Sequence, residues 1–319
     1  MGPDDEHVER FRRDVEVLTG SVPARLGVAV SGGPDSLALL LLAAAAYPGR
    51  IAVATVDHQL RPESAAEAVF VSDICRAASI HHAILPARVD TARSSLQRSA
   101  REARYAALGE WLAREAIDFL ATAHHIEDQA ETLLMRLTRS TGISGLAAIR
   151  SIGPVPGGGG TLVRPLLSWR REELRRVVDT AGLRPVSDPG NCDERFDRVR
   201  LRRLMADAPW LDPPALARSA GALAESNDAL EWAADRLWDE RVSAAGRRII
   251  LDPSGLPPEL IRRLVLRILR ELAPAASPRG QEIALLAEKL RAGRKATLAG
   301  IAADSAERWT FELAPPRRG

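Results

Sequence analysis

Ser31-Gly32-Gly33-Pro34-Asp35-Ser36 stands between the apolar run Leu26-Gly27-Val28-Ala29-Val30 and the leucine-rich Leu37-Ala38-Leu39-Leu40-Leu41-Leu42. That order predicts a buried strand, a tight glycine turn and a helix. The first turn of a helix has backbone N–H groups without partners, and the helix dipole adds partial positive charge there. Two glycines let the backbone approach an anion, and two hydroxyls add donors. The stretch therefore predicts a phosphate cradle at a helix N-terminus. It has no lysine and lacks the G-x-x-x-x-G-K-[ST] spacing, so it is not the common P-loop, and it does not fit G-x-G-x-x-G.

Further apolar segments extend the pattern. Residues 51–56, 81–85 and 118–123 read as strands, and residues 35–46, 64–78 and 95–115 as helices, after a first helix within residues 1–20. Strands alternating with helices predict right-handed crossovers and a parallel sheet covered on both faces, with ligands beyond the carboxyl ends of the strands. The Ser31 loop and the pair Asp57-His58 fall at such ends. Residues 153–160 read as a Pro/Gly loop before the strand-like Thr161-Leu162-Val163, and residues 170–181 as an Arg/Glu-rich helix ending at Gly182. Ala208-Pro209-Trp210-Leu211-Asp212-Pro213-Pro214 marks the expected domain boundary. Beyond it, residues 215–242 and 258–272 have helical periodicity, and residues 296–300 and 308–313 could form short strands.

Composition narrows the class. With 319 residues, about two domains are expected. Apolar content of 46% supports a packed core, and aromatic content of 4% makes that core aliphatic. Residues 1–13 are strongly charged, with no apolar signal core, and the longest apolar run is too short to span a bilayer. Cys75 and Cys192 are isolated, so no disulfide framework or CxxC pair is expected. These features predict a cytoplasmic protein without membrane association. Net charge is only +2, yet residues 164–203 carry eleven arginines against seven acidic residues. Residues 261–319 carry twelve basic residues against six acidic ones, so both segments could face phosphates.

A second chemical block follows the fourth strand: Ala121-Thr122-Ala123-His124-His125-Ile126-Glu127-Asp128-Gln129-Ala130-Glu131-Thr132. With a helix beginning near His125, the i, i+4, i+7 spacing predicts that His124, Asp128 and Glu131 share one face toward a bound nucleotide. Two carboxylates and a histidine could hold Mg2+, orient an amine or accept a proton. Adjacent histidines cannot converge as an i, i+4 zinc pair does, which disfavours zinc.

The Ser31 loop resembles the SGGxDS loop of PP-loop ATP pyrophosphatases, which cleave ATP between its α and β phosphates. The whole set of motifs resembles the tRNA(Ile)-lysidine synthetase family. It comprises the loop, Val56-Asp57-His58-Gln59-Leu60-Arg61, Ala100-Arg101-Glu102-Ala103-Arg104-Tyr105, the His124 block and Arg136-Leu137-Thr138-Arg139-Ser140-Thr141-Gly142. It continues with Arg164-Pro165-Leu166-Leu167, Ser187-Asp188-Pro189-Gly190-Asn191 and Phe196-Asp197-Arg198-Val199-Arg200-Leu201-Arg202. The likeness covers most of residues 20–205 and departs at Glu127, where Asp is usual, at Gln59, where Gly is usual, and at Val199, where an Asn lies between two arginines. The C-terminal part resembles short members of the family.

The resemblance implies an α/β fold, a PP-loop (adenine nucleotide alpha hydrolase-like) parallel sheet with helices on both faces, plus a smaller, mostly helical C-terminal domain. It implies a catalytic domain over residues 1–206 and a tRNA-binding domain over residues 207–319. ATP would adenylate the C2 oxygen of the wobble cytidine of an isoleucine tRNA with a CAU anticodon. The ε-amine of free lysine would then displace AMP. Ser31, Gly32, Gly33, Pro34, Asp35, Ser36, Asp57 and His58 would bind ATP, with Mg2+ at Asp35. Asp128 and Glu131 would hold the lysine ammonium and take its proton. Arg104 would neutralise phosphate or activated base, and His124 would complete the catalytic set. Arg101, Asn191, Arg198 and Arg200 would contact tRNA. A thiolase of the same superfamily would need paired cysteines. NAD or GMP synthetases would not need the basic C-terminal segment, and a non-enzymatic nucleotide- or RNA-binding module would not need Asp128 and Glu131. Oligomeric state is open, a homodimer being compatible with the sequence.

Overall fold

The computed structural model describes residues 2–59, 63–89, 96–139, 141–186, 197–276, 278–305 and 308–314. Asn191 and Cys192 lie outside the described residues. The chain divides into two compact units, Met1–Thr138 with Ala148–Ala220, and Arg139–Ala147 with Gly221–Gly319.

The first unit is built on a six-stranded sheet. Its strands are β1 (Leu26–Ala29), β2 (Ile51–Asp57), β3 (His81–Pro86), β4 (Phe119–Ala121), β5 (Ile152–Pro154) and β6 (Thr161–Val163), in the order β3-β2-β1-β4-β6-β5. The first five in that order are parallel, and β5 runs antiparallel to β6. The sheet is thus mixed, and Gly153 and Pro154, expected in a loop, belong to a strand. Proline donates no ladder hydrogen bond, and β5 is an edge strand that tolerates it.

Alternation along the strands packs both faces. Ile51 and Val53 of β2, Ala121 of β4 and Val163 of β6 join a core with α1 (Asp5–Thr19), α2 (Pro34–Ala46), α3 (Glu63–Ala77) and α7 (Arg171–Thr180). Ala52 and Ala54 of β2, Leu120 of β4 and Leu162 of β6 join a second core with α4 (Leu96–Glu115). The helix α2 is apolar nearly all round and is buried accordingly from Leu37 to Leu40 and at Leu42, with Leu41 partly buried. The helices α5 (Ile126–Leu137) and α8 (Asp197–Asp207) also belong to this unit, while α6 (Ile143–Leu146) belongs to the second.

The second unit holds most of α9 (Pro213–Arg241), together with α10 (Pro258–Leu272), α11 (Gly280–Arg291) and a five-stranded antiparallel sheet. The sheet comprises β7 (Val242–Ala245), β8 (Arg248–Leu251), β9 (Ala296–Leu298), β10 (Ile301–Ser305) and β11 (Trp309–Leu313), in the order β7-β8-β11-β10-β9. Ala299 and Gly300, both at positive φ, form the two-residue turn between β9 and β10. Leu264, Val265, Ile268 and Leu269 of α10 pack with Ile283, Leu286 and Phe311. Among the described residues, no helix is long and apolar enough to cross a membrane.

Candidate active site

The carboxyl ends of β1, β2 and β4 open onto a cleft of about 600 Å3. Its walls include Ser31, Gly33, Pro34, Asp35 and Ser36 after β1, His58 after β2, and His124 and Asp128 after β4. Arg101, Arg104 and Tyr105 enter from α4, and Arg198 from α8. The loop after β1 is held by its own hydroxyls. Ser36 Oγ donates to the Gly33 carbonyl at 2.9 Å and accepts from the Ser31 N–H at 3.2 Å. Gly32 has φ +86°, and its carbonyl accepts from the Val186 N–H at 3.0 Å. Gly33 is extended and caps α2, with Pro34 at the first helical position, where a missing N–H costs nothing. The turn therefore presents a helix N-terminus to the cleft, the geometry that receives phosphate.

His125 is the N-terminal cap of α5, and its N–H donates to Asp128 Oδ2 at 3.1 Å. His124 precedes the helix, so the helical spacing counted from it does not apply, although it and Asp128 both reach the cleft. The His125 ring is 1% exposed and lies among three carboxylates. Nδ1 is 2.8 Å from Glu127 Oε2, and Nε2 is 3.4 Å from Asp35 Oδ2 and 3.6 Å from Asp128 Oδ2. Burial alone would discharge this imidazole, but Asp35, Glu127 and Asp128 raise its pKa to about 9. The effect is mutual. Burial would favour the neutral acids, yet the His125 charge holds Glu127 and Asp128 below the usual carboxylate range. His124 goes the other way, to about 4, through burial and the cations Arg164, Arg198 and Arg101, against the pull of Asp128. Two adjacent histidines are thus held in opposite charge states. His124 is the histidine that the sequence spacing singles out; the burial and charge of His125 depend on Asp35, ninety residues away, and no spacing rule reveals them.

Glu131 is 1% exposed and is not among the residues lining the cleft. Arg202 Nε donates to its Oε1 at 2.6 Å, with Arg171 Nη2 at 3.5 Å from the same oxygen and Arg198 Nε at 3.9 Å from Oε2. Arg202 Nη2 also stands 4.0 Å from Asp128 Oδ1. Arg200, by contrast, is exposed, pairs with Asp197 on its own helix and does not line the cleft. On a helix Arg198 and Arg202 share a face that Arg200 does not, and that i, i+4 spacing was the available signal.

Asp57 supports the site from behind. Its Oδ1 accepts from the Ser64 hydroxyl at 2.6 Å and the Gln59 N–H at 2.9 Å, tying the end of β2 to α3. Gln59 has φ +53°, the left-handed region glycine favours. His58 lines the cleft, its pKa lowered by burial and by Arg104. The guanidinium carbons of Arg101 and Arg104 lie 4.9 and 5.8 Å from the centre of the Tyr105 ring.

Asp35 Oδ1 is buried without a hydrogen-bond partner, leaving lone pairs for a cation. One carboxylate beside a phosphate loop fits Mg2+, which takes substrate phosphates and waters as its other ligands. Among the described residues, no group of three or more His, Cys, Asp or Glu side chains is arranged to hold a metal ion alone.

Residues 6–208 match the family model of the PP-loop domain. The tRNA(Ile)-lysidine synthase of Novosphingobium aromaticivorans is 47% identical over 312 residues, covering 97% of this chain and 94% of that protein. This chain belongs to the tRNA(Ile)-lysidine synthase family. That of Zymomonas mobilis subsp. mobilis is 40% identical, covering 95% of this chain and 92% of that one. The chain is accordingly an enzyme, an ATP-using ligase of this family. The U34-tRNA thiolase NcsA of Methanococcus maripaludis, solved with its [4Fe-4S] cluster, is similar in structure. Its TM-score is 0.55 at 17% identity, over 69% of this chain and 79% of that one, a likeness of fold alone.

Proposed function

We propose that the protein joins free L-lysine to the wobble cytidine of an isoleucine tRNA with a CAU anticodon, consuming ATP and releasing AMP and pyrophosphate. One observation carries this reading: the phosphate loop, Asp128 and three arginines share a single cleft. The base and an adenine each offer a flat face, and the wall of Ala54, Val56 and Leu108 suits one. An anticodon loop is already single-stranded, so bringing its base into the cleft costs little.

In the first step the cytidine C2 oxygen attacks the α-phosphate of ATP, and the bond to the β-phosphate breaks. The loop N–H groups and the Ser31 hydroxyl stabilise the charge that grows on departing pyrophosphate, while the Ser36 hydroxyl, whose proton goes to the Gly33 carbonyl, holds the turn in shape. Arg104 faces the same charge. Asp35 would hold Mg2+, which offsets phosphate charge when bound.

In the second step the lysine ε-amine attacks C2 and AMP leaves. Only the neutral amine is nucleophilic, so its proton must pass to a nearby base. Asp128, ionised and open to the cleft, receives the ammonium and that proton. His124, neutral at working pH, accepts or donates a hydrogen bond without adding charge. Arg101 and Arg198 meet the tRNA backbone, and Glu131 completes the acidic subsite behind Asp128. Asn191 keeps the tRNA-contact role implied for it.

The test is incorporation of radiolabelled lysine into an isoleucine tRNA transcript with a CAU anticodon, given ATP and Mg2+, beside a methionine tRNA transcript. The expected result is ATP-dependent labelling of the isoleucine transcript alone, lost in Asp128→Ala. Pyrophosphate release with another acceptor and no lysine incorporation would assign the protein to a different PP-loop reaction.

A further inference from the structure

Glu131, the deeper of the two carboxylates that the proposed function gives to the lysine ammonium, already has a cation on it. Arg202 Nε donates to Glu131 Oε1 at 2.6 Å, and Nη2 of the same guanidinium is 4.0 Å from Asp128 Oδ1. The Arg202 side chain is 32% exposed and Glu131 only 1%. Glu131 Oε1 is thus engaged by Arg202 before any amine binds, and an amine that takes this oxygen must displace that donor. Glu131 Oε2 is buried without a hydrogen-bond partner, so the subsite has acceptor capacity that Arg202 does not use.

Resting on the reading of Asp128 and Glu131 as the amine subsite, we infer that Arg202 is a built-in occupant of that subsite, displaced when lysine binds, and so sets the affinity for lysine. Three features support displacement over permanent pairing. Arg171 at 3.5 Å and Arg198 at 3.9 Å stay near Glu131 when Arg202 moves, so its charge is not left bare. The partly exposed Arg202 has water on one side to receive it. Its guanidinium stays protonated, so it holds the acidic pair without acting as a competing nucleophile. A tethered cation acts at a high effective concentration and lowers the apparent affinity of any free cation for the same carboxylates.

The test compares wild type, Arg202→Lys and Arg202→Gln. Lysine incorporation is measured across lysine concentrations, with millimolar guanidinium chloride or an equal concentration of sodium chloride. Glutamine retains a hydrogen-bond donor for Glu131 without the charge. For Arg202→Gln the KM for lysine should fall by about 3- to 10-fold, the scale on which an intramolecular competitor is lifted. Guanidinium should inhibit that variant competitively against lysine and leave wild type unaffected. Arg202→Lys should fall between the two. Should the KM rise in Arg202→Gln and guanidinium restore activity, Arg202 would support the subsite rather than compete for it, and the inference would be overturned while the proposed function stood. A wild type that incorporates no lysine would overturn both. If Arg202→Gln does not fold, an unchanged or raised lysine KM in Arg202→Lys would overturn the inference.

Discussion

Asp35 Oδ2 and His125 Nε2 stand 3.4 Å apart, which joins the phosphate loop to the cap of α5. The contact links two segments ninety residues apart in the chain and joins the phosphate loop and the proposed amine subsite through one buried cation. His125 is near Asp35 on one side and Glu127 on the other, with Asp128 at 3.6 Å. Glu127 Oε2 in turn accepts from the Arg171 N–H at 3.0 Å, which fixes the first turn of α7.

Removal of this cation should be felt at both ends. His125→Ala removes the cation that Asp35, Glu127 and Asp128 share. Lysine incorporation should fall by about 10- to 100-fold, as when a partner that orients a ligating carboxylate is lost. The melting temperature should drop by several degrees, since removing one member of a buried charge cluster is destabilising. Steady-state rates and a thermal melt measure the two effects separately.

The two histidines predict a stability optimum in pH. His125 has a folded pKa of about 9, above its ordinary 6.5. Its contribution is full below pH 6.5, declines as the pH rises and is gone above 9. His124 is held at about 4. As the pH falls from 6.5 toward 4, the unfolded chain takes up a proton that the folded protein refuses, and stability declines. Melting temperatures in metal-free buffers should peak near pH 6.5. His125→Asn should flatten the alkaline limb and His124→Asn the acid limb. Unchanged limbs in both variants would refute the assignment.

Gly32→Ala should disable the phosphate loop. A Cβ there would stand 3.3 Å from Val186 Cγ2 on a backbone at φ +86°, a conformation costing an L-residue about 1–2 kcal/mol. The loop relaxes to a shape that no longer converges its N–H groups, and ATP-dependent pyrophosphate release should fall at least 10-fold. Ser36→Ala, which removes the bond to the Gly33 carbonyl, should produce a smaller loss of about 1 kcal/mol.

Arg198 and Arg200 should behave differently despite standing two residues apart. Arg198→Ala removes a cation from the cleft wall and should weaken tRNA binding, with a reduced salt dependence. Arg200→Ala breaks only an exposed pair with Asp197 and should leave lysine incorporation within about 2-fold of wild type. Incorporation assays at two salt concentrations check both.

Much of this was legible in the chain. The strand, glycine turn and helix around Ser31 follow from apolar runs and from backbone requirements that act over a few residues. The order of β1 to β4 with α2 to α4 follows the same way, and so does the placement of the Ser31 loop and the His124 block at strand ends. The residues 153–160 segment misled because Gly and Pro signal a loop, while an edge position lets Ile152–Pro154 pair with β6. β7, β8 and β10 were missed because four- and five-residue strands joined by tight turns carry too little periodicity to read.

The sequence by itself determined the phosphate loop, the alternating α/β order and the presence of acids and histidines at one strand end, since these depend on neighbours in the chain. Only the tertiary structure decided that His125 rather than His124 carries the charge, that Glu131 is paired with Arg202 and that Arg200 pairs with Asp197 outside the cleft lining. The charge of a buried group depends on which distant charges fold against it and how much water they exclude. Glu131 and Arg202 are seventy-one residues apart, and no local pattern specifies that meeting.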